Sequence, residues 1–452
     1  MDLQRESILR RLAKFVLNIS YENLPDEVTH RAKNLLLDAL GTIIHGREMT
    51  VARIALELIR NNKGEATVVG HALKVPPGDA VFANSVFAAG TALDDFLFTF
   101  HPGQVNVPTA IAMSEQEKSS GAELISALVA GYEVMGRIHL GGPNIAPRFR
   151  GIGSLGPFGA AAVAGKLLKL NENQLTHALG YAANFSSGLT QCWIAGTMEG
   201  NFHGGIAAKN GIAAVNLAKA GAVAAENTLE GERGFYRAFA GTTEEAGQVL
   251  VDLNKRFLIM EASYKPYPVC ALQQVPIDLI SNLVKQHQIQ PKDVKGVIER
   301  VSEWEAAFPG GDFAGPFENP DQPLLSSQFC AAAALLGKPV RSCSFYREHY
   351  HDPEIFALAQ KVKLIGEKER KVPEITVTLH SGKTFRVEEE EGSGILIPTD
   401  ENVKTKFNEL TADLVGKKRA GKIIELIMSL EKLDTVQDLI RQLREARVQP
   451  MK

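Results

Sequence analysis

The sequence predicts a mostly α-helical protein with an α+β second domain: a large all-helical domain built from both chain ends, and a smaller α+β domain inserted between them. Three observations carry this expectation. Up to about residue 265, segments rich in Ala and Gly repeat their apolar residues with a period near 3.6 and are separated by Gly and Pro. After Lys265-Pro266-Tyr267-Pro268 the pattern becomes alternating and β-branched, with helical segments between, which reads as α+β. Beyond about residue 400 amphipathic helix returns, so the carboxyl-terminal helices are expected to pack back on the first domain. At 452 residues the chain exceeds what one core usually organises. The expected boundaries are 1–266 for the helical domain, completed by 396–452, and 267–395 for the α+β domain.

In chain order, a helix begins at Leu24-Pro25, where proline suits the first turn. It places Leu36, Leu40, Ile43 and Ile44 on one stripe and stops near Gly46. Further helices are expected over roughly 80–93, 105–117, 121–138, 157–170, 173–187 and 204–220, and their many Ala and Gly residues allow close approach. In the second domain Val294–Val301 and Glu374–Leu379 alternate, and the turn His380-Ser381-Gly382-Lys383 leads into Thr384–Val387 as a hairpin. Helical patterns fall near 325–336 and 353–361, then at 417–430 and 434–446.

Composition narrows the function classes. Lys and Arg number 49 against 52 Asp and Glu, a formal net charge of −3 with a pI of 6.4, which argues against a strongly basic nucleic-acid binder. Hydrophobic residues at 45% and charged residues at 22% supply a core and argue against global disorder. Cys192, Cys270, Cys330 and Cys343 are widely spaced with no C-x-x-C pair, as in a reducing compartment. The amino terminus, Met1-Asp2-Leu3-Gln4-Arg5-Glu6, lacks the apolar run of a signal peptide, and no segment reaches the roughly 18 apolar residues of a membrane span. A soluble cytoplasmic protein with no nucleic-acid or membrane partner is expected.

Charge is unevenly placed. Between Val134 and Ala225, Arg137, Arg148, Arg150, Lys166, Lys169, Lys209 and Lys219 meet only Glu172 and Glu199, so this stretch carries +5 and the remainder −8. Lys166, Lys169 and Lys219 read as solvated helix faces. Arg148 and Arg150 precede Gly151-Ile152-Gly153-Ser154-Leu155-Gly156 and a helix expected to start near Pro157. The stretch matches G-x-G-x-x-G, but no buried strand or βαβ unit surrounds it, so it is a poor dinucleotide fingerprint. A glycine loop feeding a helix amino terminus still offers N–H groups and partial positive charge to an anion. Two arginines beside it favour a carboxylate or phosphate. A glycine-rich helix crossing is the plain alternative.

Asp94-Asp95, followed by His101-Pro102-Gly103, can orient an imidazole as a general base. Metal binding has less support because no other histidine lies at ligand spacing, and a solvated acidic turn is the plain alternative. His203, in Gly200-Asn201-Phe202-His203-Gly204-Gly205, precedes the apolar helix bearing Lys209, and a lone histidine there is more often structural. Lys265-Pro266-Tyr267-Pro268-Val269-Cys270 falls at the domain junction, where clefts commonly form, or serves as a linker stiffened by its prolines. No G-x-S-x-G surrounds Ser154, and no local group activates Cys270 as a nucleophile.

Taken in order, a set of motifs resembles the MmgE/PrpD family over nearly the whole chain. They are Leu35-Leu36-Leu37-Asp38-Ala39-Leu40-Gly41, Asp94-Asp95 with His101-Pro102-Gly103, Gly131-Tyr132-Glu133-Val134 with Arg137-Ile138, and Gly156-Pro157-Phe158-Gly159-Ala160-Ala161-Ala162. His203-Gly204-Gly205-Ile206-Ala207-Ala208, Leu229-Glu230-Gly231 with Gly234-Phe235, and Lys265-Pro266-Tyr267-Pro268 complete the set. The resemblance implies a homodimer that needs no cofactor and abstracts a proton next to a carboxylate of a small di- or tricarboxylic acid. It places Asp94, His101 and His203 on active-site positions, and Lys265 and Tyr267 on the segment bordering the cleft. His101 would be the base, oriented by Asp94, with His203 or Tyr267 as acid. Arg148, Arg150, Lys209, Lys265 and Gln274 are the substrate-binding candidates.

The chain departs from the lyase pattern of the family at three places. Arg150 stands where a His is usual, Gly200 where a Lys is frequent, and Ala271 and Gln274 where an Arg and a His follow K-P-Y-P. A lyase of dehydratase or decarboxylase type is the first expectation. The second is an epimerase of a dicarboxylate such as iminodisuccinate, which needs no acid for a leaving hydroxyl. The third is a carboxylate-binding protein without catalysis.

Overall fold

The computed structural model describes residues 6–390 and 394–444; most of Met1–Glu6 and the last residues of the expected 434–446 helix lie outside them. Helices begin where local chemistry satisfies their first N–H groups. The Ser7 hydroxyl caps α1 (Ile8–Asn18), and α2 (Asp26–Gly46) carries Asp26 and Glu27 in its first turn. After α3 (Thr50–Ile59) come a short antiparallel pair, β1 (Ala66–Thr67) and β2 (Lys74–Val75), and then α4 (Pro77–Gly90) with proline at its start. The helix α5 (Gly103–Glu117) is followed by α6 (Gly121–Leu140), closed by a Ser120/Glu123 capping box. Next are α7 (Gly151–Leu167), α8 (Glu172–Asn184) with an Asn171/Gln174 box, α9 (Gln191–Ala195), α10 (Glu199–Lys219) and α11 (Phe235–Phe239). The later elements are α12 (Gln274–His287), β3 (Val294–Ser302), α13 (Glu303–Ala306), α14 (Ser327–Leu335), α15 (Phe345–Glu348) and α16 (Pro353–Ala359). The chain closes with β4 (Val362–Glu367), β5 (Glu374–Leu379), β6 (Thr384–Glu388), α17 (Asp400–Val415), α18 (Lys417–Met428) and α19 (Gln437–Arg444).

Two units result. The first comprises 1–189, 201–264 and 398–452, and the second 190–200 and 265–397. The helical unit is organised around α2, in which every residue from Asn34 to Ile44 is buried. The returning α17 lies along it: Asn34 donates to Pro398 O at 2.9 Å and Asp400 Oδ1 at 3.1 Å, and His45 Nδ1 lies 3.1 Å from Leu410 O. One expectation is corrected here. Gly151–Gly156 is no loop, because α7 starts at Gly151, and its residues 151–165 are all buried. Pro157 cannot donate to the carbonyl four residues back, Gly153 O, but Ser187 N takes that acceptor at 3.1 Å. A helix crossing uses the glycines, since a methyl group at Gly156 would lie 2.8 Å from Ala207 Cβ of α10.

In the second unit the sheet order is β4-β3-β5-β6, with β3 parallel to β4 and the other pairs antiparallel. The expected hairpin is β5 and β6, with Thr378 opposite Thr384. The strand β4 was not expected; as an edge strand it buries only Val362, leaves Leu364, Ile365 and Glu367 partly covered and exposes Lys363 and Gly366, so its alternation is weak. Segment 190–200 belongs with this unit because the Trp193 ring packs tilted against Phe308, centroids 4.7 Å apart, and Asn319 Nδ2 donates to Ala195 O at 2.6 Å. All four cysteines are free thiols. Among the described residues no helix is long and apolar enough to cross a membrane.

Candidate active site

The segment from Thr91 to His101 joins α4 to α5 and carries the acidic pair. Its backbone is tightly bent: Ala92 (φ 55) and Phe98 (φ 53) both take the left-handed conformation, which non-glycine residues hold only when their surroundings impose it. Leu93 N donates to Thr91 Oγ1 at 3.1 Å, and Phe96 exchanges both backbone hydrogen bonds with Ser263 at 2.8 Å. Asp94 and Asp95 are thereby buried side by side.

Their roles differ. The Nδ1 atom of His101 lies 2.7 Å from Asp94 Oδ2 and 3.0 Å from the Asp95 carbonyl oxygen. A carbonyl oxygen only accepts, so Nδ1 must carry a hydrogen, which in a neutral ring makes Nε2 the acceptor nitrogen. Gln104 Nε2 donates to the same Asp94 oxygen at 2.7 Å and holds the carboxylate in place. Asp95 is a brace instead: Oδ1 accepts from Gly103 N at 2.9 Å, at the start of α5, and Oδ2 accepts from the Tyr132 hydroxyl at 2.7 Å. Burial pushes the Asp95 pKa up to about 7, against the pull of the Tyr132 bond, with the charges of Asp38 and Asp94 adding to the rise.

Two further backbone segments pack around this one. A methyl group at Gly204 would lie 2.8 Å from Gln104 Oε1, 2.9 Å from Ser85 Oγ and 3.4 Å from Ile152 Cγ1, so α10 just after His203 sits on the first turns of α5 and α7. A methyl group at Gly151 would lie 2.8 Å from Phe100 Cβ, so the amino end of α7, where Arg150 is the N-cap residue, abuts the run into His101. Arg150 N is fixed to Gly188 O at 2.8 Å and the residue is half-buried. The segments bearing Asp94, His101, Arg150 and His203 therefore converge within the helical unit, and a helix amino terminus with an arginine beside it attracts an anion.

Other candidates stand differently. Arg148 is exposed, with its guanidinium beside Gly241. Lys209 is paired with Asp79 at 2.7 Å, and Asn62 holds the second Asp79 oxygen at 2.7 Å. In the second unit Lys265 is buried, and Tyr267 donates its hydroxyl to Asp278 Oδ1 at 3.0 Å beneath the Arg341 guanidinium. Burial and the Asp278 charge raise the Tyr267 pKa. Gln274 is fully used by its own loop: Nε2 donates to the carbonyls of Tyr267 (2.9 Å) and Cys270 (3.2 Å), and Oε1 accepts from Tyr267 N at 2.9 Å. It ties the segment 267–270 down.

Sequence reasoning missed Gln104 and Tyr132. Gln104 lies three residues after His101, in the first turn of α5, close enough in sequence to have been considered with it; Tyr132, read in the sequence only as part of the Gly131–Val134 motif, reaches Asp95 from α6, 37 residues away. Among the described residues no group of three or more His, Cys, Asp or Glu is placed to hold a metal ion.

Fold and site together define a helical protein with an inserted α+β unit and a histidine oriented by a buried carboxylate. The chain belongs to the MmgE/PrpD family: the MmgE/PrpD N-terminal domain matches residues 10–247 and the MmgE/PrpD C-terminal domain residues 267–432. Among its relatives, cis-aconitate decarboxylase of Mus musculus is 25% identical over 98% of this chain and 95% of its own length. The Homo sapiens enzyme of that name is 26% identical over 95% and 93%, and that of Aspergillus terreus 24% over 96% of each.

Proposed function

We propose that this protein is a lyase of the decarboxylase or dehydratase type acting on a small tricarboxylic acid, with His101 as the proton-transfer group. The observation that carries the reading is the fixed Nδ1–H of His101, bonded to Asp94 and the Asp95 carbonyl. In the dehydratase direction Nε2 takes a proton from the carbon next to a carboxylate, and Asp94 stabilises the imidazolium formed. In the decarboxylase direction the electron pair left by carbon dioxide delocalises towards a remaining carboxylate, and the same imidazolium protonates the carbanion at the carbon next to that carboxylate. Either use contributes about 10² to 10⁴ in rate, or about 3 to 5 kcal/mol. Arg150 and the amino end of α7 bind a substrate carboxylate, and His203 is the candidate acid of the helical unit. Relatives named cis-aconitate decarboxylase support a tricarboxylate substrate. The family resemblance supports a homodimer and a reaction without added cofactor.

A second reading, epimerisation of a dicarboxylate, is favoured by the residues at 150, 200, 271 and 274, where acid/base groups of the lyase pattern are replaced by Arg150, Gly200, Ala271 and Gln274. Incubation with cis-aconitate and a panel of di- and tricarboxylates, followed by product analysis, separates the two. Carbon dioxide or water loss supports the lyase, inverted stereochemistry supports the epimerase, and binding without conversion across the panel rejects both.

A further inference from the structure

We infer that Lys406 is a positioning residue for the Asp94–His101 pair: its ammonium, held by Asp38, grips the Leu93 carbonyl and fixes the turn that aims Asp94 at the imidazole. The inference rests on the reading of His101 as the proton-transfer group. Lys406 sits on α17, the first helix after the chain leaves the second unit, and is 8% exposed. Its Nζ lies 2.7 Å from Leu93 O, 2.7 Å from Asp38 Oδ1 and 5.3 Å from the centre of the Tyr264 ring.

The geometry gives this contact leverage. Leu93 O and Asp94 N belong to one planar peptide unit, so holding the carbonyl fixes the plane from which Asp94 departs. Ala92, just before, is in the left-handed conformation, and Phe96, just after, is locked to Ser263, so the acidic pair hangs between two clamps. Lys406 also pairs with Asp38, one of the two acids whose charges act on Asp95. Pinning α17 to α2 does not require it, because Asn34 at one end and His45 at the other already make that connection. A lysine is seldom buried so far unless paired, and this pair carries a third contact, to the backbone beside the acids.

The test is ¹⁵N NMR of the His101 ring in the full-length protein, with the signal assigned by its loss in His101→Gln. Wild type should hold the neutral ring as the Nδ1–H tautomer. Lys406→Met should move it towards the tautomer mixture of a free imidazole, and Lys406→Arg, which keeps donors and charge, should restore it. On a substrate that turns over, Lys406→Met should lower kcat about tenfold or more with KM within about threefold, whereas a purely structural role would lower the melting temperature and leave the tautomer alone. A folded Lys406→Met with the wild-type tautomer overturns the inference. Should Lys406→Met fail to fold, Asp38→Asn decides: a partial shift of tautomer supports the inference and an unchanged ring overturns it. The tautomer is read without substrate, so a wild type that converts nothing refutes the functional reading alone.

Discussion

Replacing Asp94 by Asn removes one charge and little volume, which isolates the electrostatic part of the proposed proton transfer. Asp94 is 3% exposed, its Oδ2 lies 2.7 Å from His101 Nδ1, and the imidazole is 20% exposed, so the pair is partly shielded from water. With charge centres about 4 Å apart and an effective dielectric near 20, the attraction between carboxylate and imidazolium is about 4 kcal/mol. That attraction exists only while the ring is charged, so it stabilises the protonated state and the transition state leading to it. Its loss should lower kcat by up to about 10³. Gln104 and His101 can both still bond to the new amide oxygen, so the fold should survive and the melting temperature should stay within a few degrees. The assay is initial-rate kinetics on the substrate found active in the panel, with a thermal melt on the same sample. A folded Asp94→Asn protein with kcat within threefold of wild type would refute the role given to Asp94.

Three further outcomes are expected. Glu299, on β3, is 1% exposed, its Oε2 has no hydrogen-bond partner among the described residues, and burial raises its pKa to about 8, with Glu305 and Asp312 adding. Since an unfolded glutamate ionises near pH 4.3, the folded state holds the extra proton between about pH 4.5 and 8, and stability falls through that window by up to about 1.4 kcal/mol per pH unit. Glu299→Gln should flatten the fall; both tryptophans, Trp193 and Trp304, lie in the second unit, so fluorescence melts at pH 6 and 8.5 report it, and an unaltered pH dependence would contradict the assignment. Gly204→Ala forces a methyl group against Gln104 Oε1 and Ser85 Oγ, 2.8 and 2.9 Å away, and should cost about 1 to 3 kcal/mol in denaturant unfolding while lowering kcat through Asp94. Lys209→Met should leave kcat/KM within about threefold and cost at most about 1 kcal/mol, because its partner is Asp79 and the lysine is half-exposed; a large rise in KM would restore Lys209 to the substrate site.

Local pattern carried much of the fold. The 3.6-residue period of α5, α6, α8 and α10 and the turn between β5 and β6 are properties of neighbouring residues, and both were legible. The start of α7 was not, because glycine and proline signal a loop locally, whereas here the glycines allow close crossing and Ser187 satisfies the carbonyl that Pro157 leaves open. The edge strand β4 was hidden by weak alternation. In the site, Asp94 and His101 could be read because they are seven residues apart on one turn. Tyr132, Gly204 and Lys406 act on that turn from 37, 100 and more than 300 residues away, and only the packing of α4, α5, α6, α7, α10 and α17 brings them there. Arg148, Lys209 and Gln274 had the right chemistry for a carboxylate, but the structure places Arg148 beside Gly241, pairs Lys209 with Asp79 and ties Gln274 to its own loop.

The central claim is that His101 moves a proton to or from a carbon next to a carboxylate. The direct measurement is incorporation of deuterium at carbon when wild type and His101→Gln are incubated with cis-aconitate and the polycarboxylate panel in D₂O, followed by proton NMR. Wild type should place deuterium at one defined carbon of substrate or product, and folded His101→Gln should slow that incorporation at least about 10²-fold. Incorporation at the same rate in both proteins would contradict the claim.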